Sequence, residues 1–169
     1  MVFLNVRYRR RAAVALASMI WGVSFFLHFV WEMLQVPFFS GMSGAGHWDV
    51  VWLCTRATIG DANIAFGAYT LTAWVSRDWF WVANCWNRIN LSTYFSVGLL
   101  VAIVFEYWAT GAGERWVYSE LMPVLSWTGT GILPLIQWVI LPLMSLYVVR
   151  WMFLGWLSLR PQKNNDGGS

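Results

Sequence analysis

Residues 7–39, RYRRRAAVALASMIWGVSFFLHFVWEMLQVPFF, decide the fold. Arg7, Arg9, Arg10 and Arg11 precede an apolar run from Ala12 to about Phe39, long enough to cross a bilayer as one helix. The run exceeds the apolar segment of a secretion signal and carries Glu32 within it, so it reads as a retained span. Short-loop arginines stay in the cytoplasm, which puts the start of this helix inside.

Working outward, three further apolar runs follow. The spans read as residues 12–38, 50–75, 91–110 and 131–157. Nine of the eleven basic residues then fall on one side: the four above, Arg77 and Arg88 in the second connection, and Arg150, Arg160 and Lys163 after the last span. The expected fold is an all-α integral membrane four-helix bundle in a bacterial inner membrane, N-in and C-in. One domain covers residues 1–160, and the polar, Gly-containing tail 161–169 reads as disordered.

Composition agrees. The chain is 59% hydrophobic and 11% charged, unlike a soluble domain of this length. Its net charge of +3 comes from arginines that flank spans, so a nucleic-acid partner is not expected. Most of the fourteen tryptophans sit near span ends: Trp31, Trp48, Trp52, Trp108, Trp116 and Trp127 outside, Trp74, Trp79, Trp81, Trp86, Trp151 and Trp156 inside. This is the aromatic belt of the headgroup region. The second connection, residues 76–90, is aromatic enough to lie along the interface. The third, residues 111–130, contains Glu114, Arg115, Tyr118 and Glu120 and is long enough for a short helix folded over the bundle as a lid. Pro134 falls in the first turn of span four, and Pro142 should kink it.

Ionisable groups inside spans are costly in hydrocarbon and are functional candidates by default. On the first helix His28, Glu32 and Gln35 share one stripe, and one turn separates His28 from Glu32. An imidazole bonded to a carboxylate is what a general base or proton relay needs. On the second helix Asp61 lies about 16 Å deep and Arg56 about 9 Å deep, pointing about 140° apart. Arg56 is expected to pair with Glu32 or Glu106, either as part of a site or simply to lock helix packing. Asp61 shares a face with Cys54 and Ala65. Glu106 and Gln137 place polar side chains at comparable depth on the remaining helices, although an amide such as Gln137 often serves only as interhelical glue. The candidate acid–base groups are therefore Glu32, His28, Asp61 and Glu106, with Arg56, Gln35, Gln137, Arg115, Trp116 and Tyr118 as ligand contacts.

Two histidines, one in a span and one (His47) in a loop, fall short of the ligand sets of haem, copper or di-iron membrane enzymes, and no metal is assigned. The sequence names no cofactor. Cys54 and Cys85 belong to opposite sides of the bilayer, which excludes a disulfide between them.

From Trp31 to Gln137 the chain resembles a family of small, functionally uncharacterised four-span bacterial inner-membrane proteins. The likeness is carried by Trp31-Glu32, Gln35-x-Pro37, Cys54, Gly60-Asp61, Glu106, Arg115-Trp116-x-Tyr118, Met122-Pro123 and Leu133-Pro134-x-x-Gln137. Trp116-Val117-Tyr118 and Gly131-Ile132-Leu133-Pro134 more weakly resemble the lycopene-cyclase type of membrane domain. In that family a glutamate pair follows the corresponding proline, and here Leu135, Ile136 and Gln137 stand instead. The second resemblance therefore implies a lipophilic substrate but not polyene protonation. Three functions fit these residues. The first is an enzyme or binding protein for a lipophilic, isoprenoid-like molecule that enters from the lipid bilayer beneath the third loop. The others are an accessory subunit docked on a membrane-protein partner, and a proton- or cation-linked transporter working as a homo-oligomer.

Overall fold

Ala12, Leu16 and Ile20 recur at every fourth position, and in the computed structural model of the chain this stripe faces inward on one long helix. The structure describes residues 6–42, 44–84, 86–111, 116–127 and 129–159. Among the described residues there are four α-helices, α1 (Val6–Gln35), α2 (His47–Ser76), α3 (Arg88–Thr110) and α4 (Ile132–Ser158), with a 3-10 turn at Val36–Phe38 after α1. The described residues contain no named strand, only isolated bridges between Phe39 and Tyr118 and between Val124 and Gly131. The first two helices pack side by side, α1 also packs on α4, and α3 closes the ring against α2 and α4. Chain neighbours run antiparallel, so the end of α1 lies beside the beginning of α2.

Three stretches are long and apolar enough to cross a membrane: Tyr8–Phe38, Arg88–Thr110 and Ile132–Ser158. The second helix is as long as the first but carries Asp49, Arg56, Asp61 and Asn63. Large apolar side chains point outward at helical spacing, including Phe26, Val30 and Leu34 on α1, Leu100 and Val104 on α3, and Val139, Leu143, Tyr147 and Trp151 on α4. Exposed apolar surface on this scale marks a face that meets something other than water.

Local chemistry fixes the helix ends. Asn87 caps α3 by accepting from the Asn90 N–H at 2.7 Å. The end of α2 is closed by Arg77 in the left-handed region (φ 53°), with Asp78 N–H donating to Ala73 O at 3.1 Å. Pro142 is interior to α4, where it removes the N–H that would bond the Trp138 carbonyl.

The bundle has two unlike halves. Near the second connection the core is apolar, built from Leu16, Ile20, Tyr69, Tyr94, Leu146, Val149 and Phe153. The second connection does not lie along the outside as expected: Trp81 and Val82 are fully buried and plug this end. Trp81 therefore belongs to the core and not to the aromatic belt, stacked with Tyr69 and against Tyr94. Arg150 explains the inward turn, since its Nη1 donates to Val82 O at 3.0 Å and Asn84 O at 2.5 Å, satisfying carbonyls that the plug would otherwise strand. Further along, the inward stripe of α1 turns polar at Ser24 and His28, both fully buried. The other half of the bundle houses the candidate site.

The third connection also differs from expectation. Among its described residues there is no helix; the chain forms an extended strap instead. Ser40 N–H donates to Val117 O at 2.8 Å and Ser119 N–H to Phe38 O at 2.9 Å. The Ser119 and Ser40 hydroxyls add bonds to Pro37 O and Tyr118 O. Backbone pairing with the segment after α1 takes the place of the internal bonds a helix would have made. Arg115, Glu114, Cys85, Arg160, Lys163 and the tail lie outside the described residues.

Candidate functional site

Ser24 and Ser145 meet at 3.4 Å, and above them the polar groups converge on Gln137 of α4. Its Nε2 lies 2.8 Å from His28 Nδ1, 3.1 Å from Asp61 Oδ2 and 3.2 Å from Glu32 Oε1. Gln35 Nε2 donates to Gln137 Oε1 at 3.5 Å, and Trp31 Nε1 donates to Gln35 Oε1 at 3.2 Å. His28 Nδ1 is 3.3 Å from Asp61 Oδ2. Two hydrogens on one amide cannot serve three acceptors at once, and a neutral His28 carrying its ring hydrogen on Nδ1 would satisfy the count by donating towards Asp61.

Two expected pairings are corrected. His28 does not bond to Glu32 one turn away; its partners stand on α2 and α4, because both side chains on the α1 stripe reach inward to the same amide. Arg56 forms no ion pair with Glu32 or Glu106, and the close contact to a carboxyl group found within the cluster is that of His28 Nδ1 with Asp61 Oδ2. The inward stripe of α2 runs through Cys54, Thr58, Ala62 and Ala65, and Arg56, about 140° away from Asp61, is left exposed. The shared face of Asp61, Cys54 and Ala65 is as expected.

A cavity of about 410 Å³ adjoins the cluster. Its polar lining is Glu32, Gln35, Arg56, Asp61, Glu106 and Gln137. Its apolar walls include Leu53, Ile64, Val101, Phe105, Trp116 and Trp138. The volume lies in the usual range for small-molecule sites, about 300–1,000 Å³, as does the pattern of a few polar groups in an apolar wall. His28 lies behind the cavity and reaches it through Asp61 and Gln137. Trp138 floors it, its ring 5.1 Å from the His28 ring. A Cβ at Gly98 would stand 2.9 Å from the Trp138 ring, so the glycine lets α3 approach that floor closely. Sequence reasoning missed Trp138, Gly98 and Phe105; a small residue facing a large aromatic across two helices leaves no mark in either helix alone.

Glu106 lines the same cavity, but its side-chain bonds run to the strap. Tyr118 Oη donates to Glu106 Oε1, Trp116 Nε1 donates to the same oxygen at 3.3 Å, and Tyr118 Oη accepts from Gly131 N–H at 2.9 Å. Trp116 therefore lines the cavity while Tyr118 latches the strap to α3. Burial, and next the bond to Glu106, hold the Tyr118 phenol above the ordinary value near 10. In the unfolded chain the phenol ionises near that ordinary value, while the folded protein still keeps its proton. Its contribution is fully present below pH 10 and is lost as pH rises through the folded value. Tyr118→Phe is expected to cost about 1–2 kcal/mol and to flatten the loss of thermal stability above about pH 10. Melting curves between neutral and alkaline pH check this, and an unchanged alkaline slope refutes it.

Among the described residues no group of three or more His, Cys, Asp or Glu side chains is arranged to hold a metal ion. No family model, no curated protein and no solved structure matches the chain.

Proposed function

We propose that the chain is a four-span bacterial inner-membrane protein, both termini cytoplasmic, that binds a lipophilic, isoprenoid-like molecule and acts on it by proton transfer. The observation that carries this is the cavity itself, whose apolar walls end on Glu32, Asp61 and Gln137. Apolar walls take a hydrocarbon body, and carboxylates within reach of a reacting group give or accept its proton. The outward apolar stripes and the basic residues at one end of the bundle support the membrane topology.

In a background lacking both cysteines, Trp48→Cys and Trp127→Cys should react with a membrane-impermeant thiol reagent in intact cells. Leu159→Cys should react only after the cells are opened. Reversal of that pattern overturns the topology. Gentle purification followed by mass spectrometry should recover one lipophilic species in amounts comparable to the protein. Recovery of a stoichiometric protein with no lipid would favour the accessory-subunit reading.

A further inference from the structure

We infer that the ligand is a long-chain alcohol that enters sideways from the bilayer through a window between α2 and α3, with Gly60 setting the window's width. This rests on the membrane-embedded binding reading above and adds the route, the gatekeeping residue and the head group.

The direction of the mouth follows from which lining residues also reach the molecular surface. On α2 these are Leu53, Arg56 and Gly60, and on α3 they are Val101 and Phe105. The lining residues Gln35, Gln137 and Trp138, from α1 and α4, are buried. Access from above crosses the strap, which is bonded to residues 37–40 and to Glu106. The side is open where the top is tied.

Gly60 sits inside α2, where glycine costs about 1 kcal/mol relative to alanine. Packing does not explain it, because a Cβ there would meet nothing within 4 Å. At Gly98 and Gly131, by contrast, a Cβ would press on a neighbouring side chain. The open space in front of Gly60 is the cavity mouth. With Val101 and Phe105 opposite, this mouth passes a hydrocarbon chain without desolvation cost.

The head group follows from the far end. The four carboxyl oxygens of Glu32 and Asp61 outnumber the two hydrogens of Gln137 Nε2, so an arriving group that donates a hydrogen bond finds an acceptor there. Arg56 at the mouth could meet a phosphate, but at the inner end a phosphate would face the carboxyl groups of Glu32 and Asp61, and an ammonium would pass Arg56 and the apolar walls as an ion, which is expensive. A hydroxyl donates without carrying charge. It would sit at Asp61 and Glu32 with its chain trailing through the window into lipid.

The test uses the full-length protein in phospholipid vesicles with a long-chain alcohol bearing a diazirine, photolysed and mapped by peptide mass spectrometry. Labelling is expected on the segments containing Ile64, Val101 and Phe105. Gly60→Phe should reduce it by about tenfold or more. Gly67→Phe, two turns along the same helix, outside the cavity and equally free of neighbours, should leave it unchanged. The corresponding diazirine fatty amine and alkyl phosphate should label more weakly than the alcohol. Helix content and melting temperature of both variants should match those of the parent. Cavity labelling that survives Gly60→Phe, or falls equally in Gly67→Phe, overturns the window and leaves the binding reading intact. Stronger labelling by the amine or phosphate overturns the head-group assignment. Absence of cavity labelling by any of the three probes overturns the binding reading itself.

Discussion

Replacing Gln137 with leucine is expected to destabilise the protein by about 3–5 kcal/mol, far more than loss of an ordinary interhelical amide. Membrane interhelical hydrogen bonds average roughly 0.6 kcal/mol, because polar groups find other partners when helices separate. Gln137 differs in position: one nitrogen stands within 3.2 Å of two carboxylates and an imidazole, and its oxygen takes Gln35. Leucine leaves Glu32, Asp61, His28 and Gln35 without the amide they share, and buried polar groups stripped of a partner cost about 1–3 kcal/mol each. The measurement is unfolding in mixed micelles titrated with a denaturing detergent. Combining Gln137→Leu with Asp61→Leu and Glu32→Leu should recover most of the loss. A single-variant cost below about 1 kcal/mol would reduce Gln137 to ordinary glue.

The second large effect is functional. Asp61→Asn and Glu32→Gln keep the shapes that face Gln137 and remove the groups that can hold or release a proton. Stability should change by less than about 1 kcal/mol for each, since an isosteric amide still bonds. Activity should fall roughly 10²–10⁴-fold, the usual contribution of a positioned acid or base. The readout is complementation of a strain lacking the gene, at matched expression. Full complementation by the double variant would remove both the enzyme and the transporter readings and leave an accessory subunit.

What could be read from the sequence was whatever a single helix writes along itself. The four helices and the stripe of His28, Glu32 and Gln35 reappear among the described residues, but apolar length suffices for a span in three helices, since α2 is interrupted by Arg56, Asp61 and Asn63. The cavity lining likewise gathers Glu32, Gln35, Arg56, Asp61, Glu106, Gln137 and Trp116. What failed needed knowledge of two elements at once. The depth of Arg56 was compatible with Glu32 or Glu106, but depth says nothing of rotation, and Arg56 stands exposed at the cavity mouth without pairing to either. Trp81 looked like an interfacial aromatic because no local signal shows that a carbonyl-binding Arg150, 69 residues later, would draw the loop inward. The strap was misread as a helix because its hydrogen-bond partners, residues 37–40, lie some eighty positions away.

The arrangement around Gln137 also bears on how the chain is made. In the proposed topology, His28, Glu32 and Asp61 would enter the membrane with the first two helices, while the amide that joins them arrives with the fourth. Throughout synthesis of α3 and the strap, those groups would stand without their shared donor. The partly built protein would then need water in the unfinished pocket to satisfy them. Docking of α4 would be the step that supplies the missing partner.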